Sequence, residues 1–159
     1  MNVIFLDIDG VLNSEEFLKK NEDEAIDRNN VSILKNIIDK TGAVIVMSSG
    51  WRFWLDENMM SKERYSQCLY DILCEFDIKL FGKTPDFSTE EMRTNKTFSY
   101  VKAKEIIAWL NEHEVICKYV VMDDFDLRNE EINSHLVRTN AEVGLTGDDA
   151  KRVFDMINQ

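Results

Sequence analysis

Unbroken apolar runs alternate along the chain with stretches whose apolar residues recur every three or four positions. This alternation predicts strand followed by helix several times over. Val3-Ile4-Phe5-Leu6 is apolar at successive positions, so a strand there is hydrophobic on both faces, as in the centre of a covered parallel sheet. A helix is expected over 29–42, where Val31, Leu34, Ile37 and Ile38 share a face and Gly42 supplies a stop. AVIVMS (43–48) reads as a second buried strand. The next helix covers 61–76, with Leu69, Ile72, Leu73 and Phe76 together, and a short strand follows over 78–82. A helix over 99–113, with Ser99 as its candidate cap, leads into the strand KYVVMDDFD (118–126). A short strand at 134–139 and a helix at 146–157 complete the pattern, the helix marked by Thr146 and Asp149 at capping-box spacing. No repeat, low-complexity tract or Gly/Ser linker divides the sequence, so residues 1–159 are expected to form one α/β domain. Its architecture is a doubly wound parallel sheet with helices on both faces.

In such sheets ligands bind beyond the carboxyl ends of the strands, and three predicted strands end there in polar chemistry. Val3 to Leu6 runs into Asp7-Ile8-Asp9, Ala43 to Met47 into Ser48-Ser49, and Tyr119 to Met122 into Asp123-Asp124. If the extended path continues past Leu6, strand period points Asp7 and Asp9 the same way, where each opposes ionisation of the other. Any one ending can be a turn or a cap. Converging at one edge, they gather up to four carboxylates and a hydroxyl, and an oxygen-seeking hard cation such as Mg²⁺ relieves the repulsion. Gly10 lets the backbone turn sharply after the acids.

The composition is that of an ordinary globular protein: 44% hydrophobic, one Pro and six Gly in 159 residues. A net charge of −11 argues against a general nucleic-acid-binding surface, yet it leaves room for a phosphorylated substrate. SEEFLKKNEDEAID and NEE read as solvated faces. With neither a signal-peptide pattern nor a membrane-length apolar run, a cytoplasmic protein without a membrane partner is expected; the oligomeric state stays open. Cys68, Cys74 and Cys117 include no Cys-x-x-Cys pair and read as reduced, buried thiols. His113, His135 and Trp109 fit surface or core roles, whereas Trp51 and Arg52 follow Ser48 closely enough to line a site. Arg52 is a candidate contact for phosphate, with a structural ion pair as its alternative.

Asp7-Ile8-Asp9-Gly10-Val11-Leu12-Asn13 resembles the first motif of the haloacid dehalogenase (HAD) superfamily, the strand ending at Ser48 its second, and Val-Val-Met-Asp123-Asp124 its fourth. The third motif, a Lys near the start of a helix, fits Lys102 best, with Lys96 and Lys104 as competitors. SSGWR, KAKEIIAWL, YVVMDDFD and LVRTNAEVGLT are further similar to the HAD domains of RNA-repair proteins, although Gly50 departs from the Ser-Ser-Trp-Arg expected there. The resemblance implies a Rossmann-like core and a phosphatase. Asp7 would be the nucleophile, Asp9 the proton donor and acceptor, and Lys102 the charge beside both phosphate and Asp7. Ser48, with Ser49, Arg52 and Gly10 nearby, would hold the phosphate. Mg²⁺ would bind Asp7, the Asp9 carbonyl, Asp123 and Asp124.

A proton donor at position 9 favours phosphate esters over halides, since a departing halide needs no proton. About 40 residues separate Asp9 from Ser48 and roughly 50 separate Ser48 from Lys102, leaving no room for a large cap. Segments 56–65 and 82–98 remain as possible partial covers, with Arg93 and Lys96 adding local positive charge. An open site admits a phosphate at the end of a polymer or on another macromolecule, and the resemblance implies nucleic-acid ends or nucleotides as the substrate class. A small-metabolite phosphatase and a non-catalytic phospho-ligand or signalling domain are the alternatives. A receiver-like signalling domain would carry the adjacent acid pair on its first strand, and here that pair comes late.

Overall fold

The computed structural model describes residues 1–113 and 116–158. Its strands are β1 (Asn2–Leu6), β2 (Val44–Met47), β3 (Leu80–Lys83), β4 (Lys118–Asp123) and β5 (Leu136–Arg138). They form one sheet in the order β3-β2-β1-β4-β5, and every pairing is parallel. The helices are α1 (Glu15–Lys20), α2 (Arg28–Thr41), α3 (Arg64–Glu75), α4 (Glu90–Thr94), α5 (Ser99–Asn111), α6 (Glu130–Ser134) and α7 (Gly147–Asn158). A 3₁₀ turn spans Gly50–Trp54.

Alternation along β1 divides the core into two layers, as the two-residue period requires. Ile4 and Leu6 pack with α2, α3 and α7 through Leu34, Ile37, Leu69, Val153 and Ile157. Val3 and Phe5 face the opposite side, under Ala103, Ile106 and Trp109 of α5 and Ile132 of α6. Trp109 meets Phe5 edge to face at 5.3 Å. Truncating a fully buried aliphatic such as Ile4 to Ala in such a layer costs about 2–5 kcal/mol. β1 is central because both of its faces are apolar, and that position carries Asp7 to the middle of the sheet's carboxyl edge.

The helix ends follow local chemistry. Gly42 closes α2 at φ 61°, and Thr146 and Asp149 cap α7 reciprocally: each backbone N–H is accepted by the other's side chain. Ser99 departs from expectation. It is the first helical residue of α5, and the preceding Phe98 is already helical and makes no side-chain cap.

The acidic segment over 14–27 is exposed at most positions, with Ser14 and Ile26 buried, and it contains α1, capped by the Ser14 hydroxyl. Its six residues bury no side chain, so no apolar stripe announces it. His135 ends α6 rather than lying within β5. The cysteines are unpaired, but Cys68 is only half-buried and Cys74 and Cys117 are exposed, contrary to the expectation of core thiols. Among the described residues no helix is long and apolar enough to cross a membrane.

Candidate active site

Asp7 follows β1 immediately, and its N–H donates to the Met122 carbonyl at 2.9 Å, keeping it in line with β4. There the extended path stops. The N–H groups of Val11 and Leu12 both fold back onto the Ile8 carbonyl, so Asp9 lies in a turn rather than on the strand, while still lining the same cleft as Asp7. Asp9 is exposed; its Oδ1 accepts from Asn13 Nδ2 at 2.9 Å and its Oδ2 from Trp51 Nε1 at 3.1 Å. The Asn13 side chain also accepts the Gly10 N–H at 2.9 Å. One asparagine thus ties the turn to its acid.

Gly10 is required twice over. Its φ is +78°, and a Cβ there would stand 2.7 Å from Cγ and Oδ2 of Asp124. Its carbonyl accepts from the Thr139 hydroxyl at 2.7 Å, which pins the turn to the end of β5.

Asp7, Asp123 and Asp124 each present an oxygen within 4.8 Å of the others. Lys102, one turn into α5, reaches over the sheet edge and donates to Asp7 Oδ1 at 2.9 Å and Asp123 Oδ2 at 2.6 Å. Lys96 and Lys104 are both exposed, Lys96 at the rim of the cleft described below. Lys102 is 7% exposed, Asp7 5% and Asp123 0%, so these charges meet with little solvent to screen them. Asp123 also accepts the Phe125 N–H through Oδ1 at 2.9 Å, while Asp124 Oδ1 is buried with no partner. Asp126 instead accepts from Arg128 N–H and Asn133 Nδ2, in turn chemistry.

Three carboxylates against one ammonium leave excess negative charge. Burial by itself would make Lys102 easier to deprotonate, but Asp7 and Asp123 outweigh it and hold the ammonium charged well above its ordinary range. Burial, then the neighbouring Asp7, pushes Asp123 up to about 7 despite Lys102. Asp124 is raised by burial and again by Asp7. An all-oxygen donor set with surplus charge and an orphaned buried oxygen suits a hard divalent cation such as Mg²⁺.

The shift at Asp123 has a definite sign. Between the ordinary carboxylate value of 3.8 and about 7, the native state holds a proton that the unfolded chain has lost. Stability from this group therefore falls as pH rises across that window and is level above it. Melting temperatures in chelator should show that decline, and Asp123→Asn should flatten it. An identical slope in the variant would assign the proton to another group.

The second strand's ending sorts its two serines. Ser49 Oγ accepts the Trp51 N–H at 3.3 Å and caps the 3₁₀ turn, whereas Ser48 Oγ is buried without a partner. Arg52 is 5% exposed and committed. Its guanidinium donates to the carbonyls of Ser48, Ser49 and Pro85 and to Glu105 Oε2, the last at 2.9 Å. Burial lowers its pKa against the pull of Glu105, whose own is raised by burial against the pull of Arg52. Of the two roles open to Arg52, the ion pair is the one the geometry displays. Glu105 Oε1 also accepts the Phe87 N–H, so this pair joins the β2 end, the 85–87 loop and the helix that carries Lys102.

Above the cluster opens a cleft of about 580 Å³, with Asp7, Asp9 and Lys102 among its lining and Phe53, Phe98 and Phe125 on its walls. Segment 82–98 borders it through Ser88, Arg93, Lys96 and Phe98, whereas no residue of 56–65 lines it. The family model described as "HAD domain in Swiss Army Knife RNA repair proteins" matches residues 3–150. The chain belongs to this family. No curated protein and no solved structure matches it. As a HAD domain it has the α/β core of that superfamily without a large cap, and family membership points to phosphatase-like hydrolase chemistry.

Several residues that shape this HAD site were not singled out from the sequence. Glu105 and Thr139 meet their partners across 53 and 129 residues of chain, and no local pattern marks such pairs. Asn13 lay inside the first motif, where its spacing of four from Asp9 was the available signal.

Proposed function

We propose that this chain is a Mg²⁺-dependent phosphomonoesterase that acts through an aspartyl-phosphate on Asp7, with nucleic-acid ends or nucleotides as its substrate class. The observation that carries the reading is Asp7 itself: nearly buried, lining the cleft, and paired with the Lys102 ammonium at 2.9 Å. The substrate class is supported by the family's description and by the aromatic walls of the cleft.

In the first step one Asp7 carboxylate oxygen attacks phosphorus, the bond from phosphorus to the alcohol oxygen breaks, and a protonated Asp9 gives its proton to the departing alkoxide. In the second, water attacks the same phosphorus and yields its proton to Asp9; the bond to Asp7 breaks and phosphate leaves. Each Asp9 oxygen accepts one hydrogen bond, from Asn13 or Trp51, and keeps a second lone pair with which to carry the proton. Lys102 offsets charge on Asp7 and the phosphoryl oxygens. Asp7, Asp123, Asp124 and the Asp9 carbonyl would hold Mg²⁺, which would supply further charge neutralisation on the transferring group. Ser48 Oγ, buried and unpartnered, is available to donate to a phosphoryl oxygen.

The test is phosphate release with and without Mg²⁺ from an aryl phosphate, mononucleotides, sugar phosphates and end-phosphorylated oligonucleotides. Metal-dependent release is the expected result. Asp9→Asn should slow sugar-alkoxide leaving groups by roughly 10²-fold and an activated aryl phosphate much less, because only the former need the proton. Equal losses on both would remove Asp9 from the proton-transfer role.

A further inference from the structure

We propose that the cleft mouth is a clamp for the unpaired terminal nucleoside of a nucleic-acid strand, with Phe98 and Phe125 as stacking rings and Lys96 on the adjoining backbone phosphate. The inference rests on the phosphomonoesterase reading and adds which form of end the site accepts.

Both rings stand in the cleft, Phe98 40% exposed and Phe125 53% exposed. Among the described residues neither packs on another ring or a cation, so their faces are open to a ligand. Phe53 differs: the Arg52 guanidinium covers its ring at 4.5 Å and Arg93 approaches at 5.7 Å. It is wall rather than platform.

The two open rings are also held in register with the reacting centre. The Phe125 N–H donates to Asp123 Oδ1 at 2.9 Å. Phe98 directly precedes α5, and Lys102 follows four residues on, about one helical turn of 5.4 Å. Both rings thus share one cleft with Asp7 and are anchored next to residues that belong to its cluster.

Charge along the cleft singles out one further residue. Arg93 is matched by Asp86 at 2.6 Å, and Lys102 by Asp7 and Asp123. Among the described residues Lys96 makes no ion pair, so it is the cation left over to meet a second phosphate. It sits just past the end of α4 at φ 55°, a left-handed position where glycine or asparagine is usual.

Size then decides between paired and unpaired ends. Asp7 is 5% exposed and lines the cleft, so a terminal phosphate that reaches it draws its own nucleoside toward the cleft walls. A space of about 580 Å³ holds a group the size of one nucleotide, not a base pair with its second strand. A paired terminal nucleotide must first leave its partner, whereas an unpaired one pays no such penalty. Stacking on Phe98 and Phe125 tolerates any base, because every base has a π face.

The experiment uses the Asp7→Asn protein with Mg²⁺ in competition binding against 5′- and 3′-phosphorylated oligonucleotides, each with its phosphate on a single-stranded overhang or recessed within a duplex. Overhanging phosphates should bind at least about 10-fold tighter, and Phe98→Leu and Phe125→Leu should each weaken overhang binding by roughly 10-fold. Lys96→Ala should reduce the salt dependence for oligonucleotides. Equal affinity for overhanging and recessed ends, or unchanged overhang binding in both phenylalanine variants, would overturn the clamp. Phosphate release by the unsubstituted protein from a small aliphatic phosphate ester is measured alongside. Absence of release with Mg²⁺ from that ester and from every mononucleotide and end-phosphorylated oligonucleotide would overturn the phosphomonoesterase reading, while binding alone judges the clamp.

Discussion

Asp7→Asn should lower phosphate release by on the order of 10³-fold or more, because an amide cannot form the covalent intermediate that divides the reaction into two steps. Its effect on stability should run the other way. Asp7 is one of three carboxylates crowded around a single ammonium, and its charge is among the causes that raise both Asp123 and Asp124. Replacing it removes repulsion, while Lys102 keeps its 2.6 Å bond to Asp123. In chelator the melting temperature should hold or rise, and the gain on adding Mg²⁺ should shrink with the lost ligand. The combination separates chemistry from folding. Turnover within about 10-fold of the unsubstituted protein would exclude Asp7 as nucleophile.

Lys102→Met is expected to strike both properties together. The ammonium is the only positive group bonded to Asp7 and Asp123 among the described residues, at 2.9 and 2.6 Å. Without it, two nearly solvent-free carboxylates face each other and Asp124 unmatched. Removing one partner of a buried charge pair costs about 3–5 kcal/mol, and at this size each kcal/mol lowers the melting temperature by about 2–4 °C. The loss should be smaller at pH 5 than at pH 8, because protonating the carboxylates discharges the repulsion that the lysine had balanced. Mg²⁺ should restore part of the stability without restoring turnover, since a cation on the carboxylates does not replace the charge beside the transferring phosphoryl group. A Lys102→Met protein as stable in chelator as its parent would show that the cluster is already protonated at neutral pH. Lys102→Arg offers a graded control: it keeps the charge but must fit a larger, planar group between two oxygens spaced for an ammonium.

The three central strands β1, β2 and β4 were legible because each holds a continuous apolar run, and in a sheet covered on both faces such runs have few other places to go. The long helices were legible through their apolar stripes and, at Gly42 and Thr146, through their ends. α1, α4 and α6 were not, since each has five or six residues and together they bury only Ile132. Short exposed helices are set by caps and by what lies beneath them, and periodicity has too little length to register there.

The order of residues alone determined that Asp7, Ser48 and Asp123 come at strand ends, and that parallel strands bring such ends to one edge. That followed from hydrophobic burial, which acts residue by residue and leaves its record in the pattern. Tertiary structure decided the rest. It placed Lys102 between Asp7 and Asp123, turned Asp9 out toward Asn13 and Trp51, and committed Arg52 to Glu105. Each of these depends on where a side chain's polar atoms end up after distant segments have packed. A lysine within reach in sequence becomes the partner of two carboxylates only when α5 is laid across the sheet by Ala103, Ile106 and Trp109.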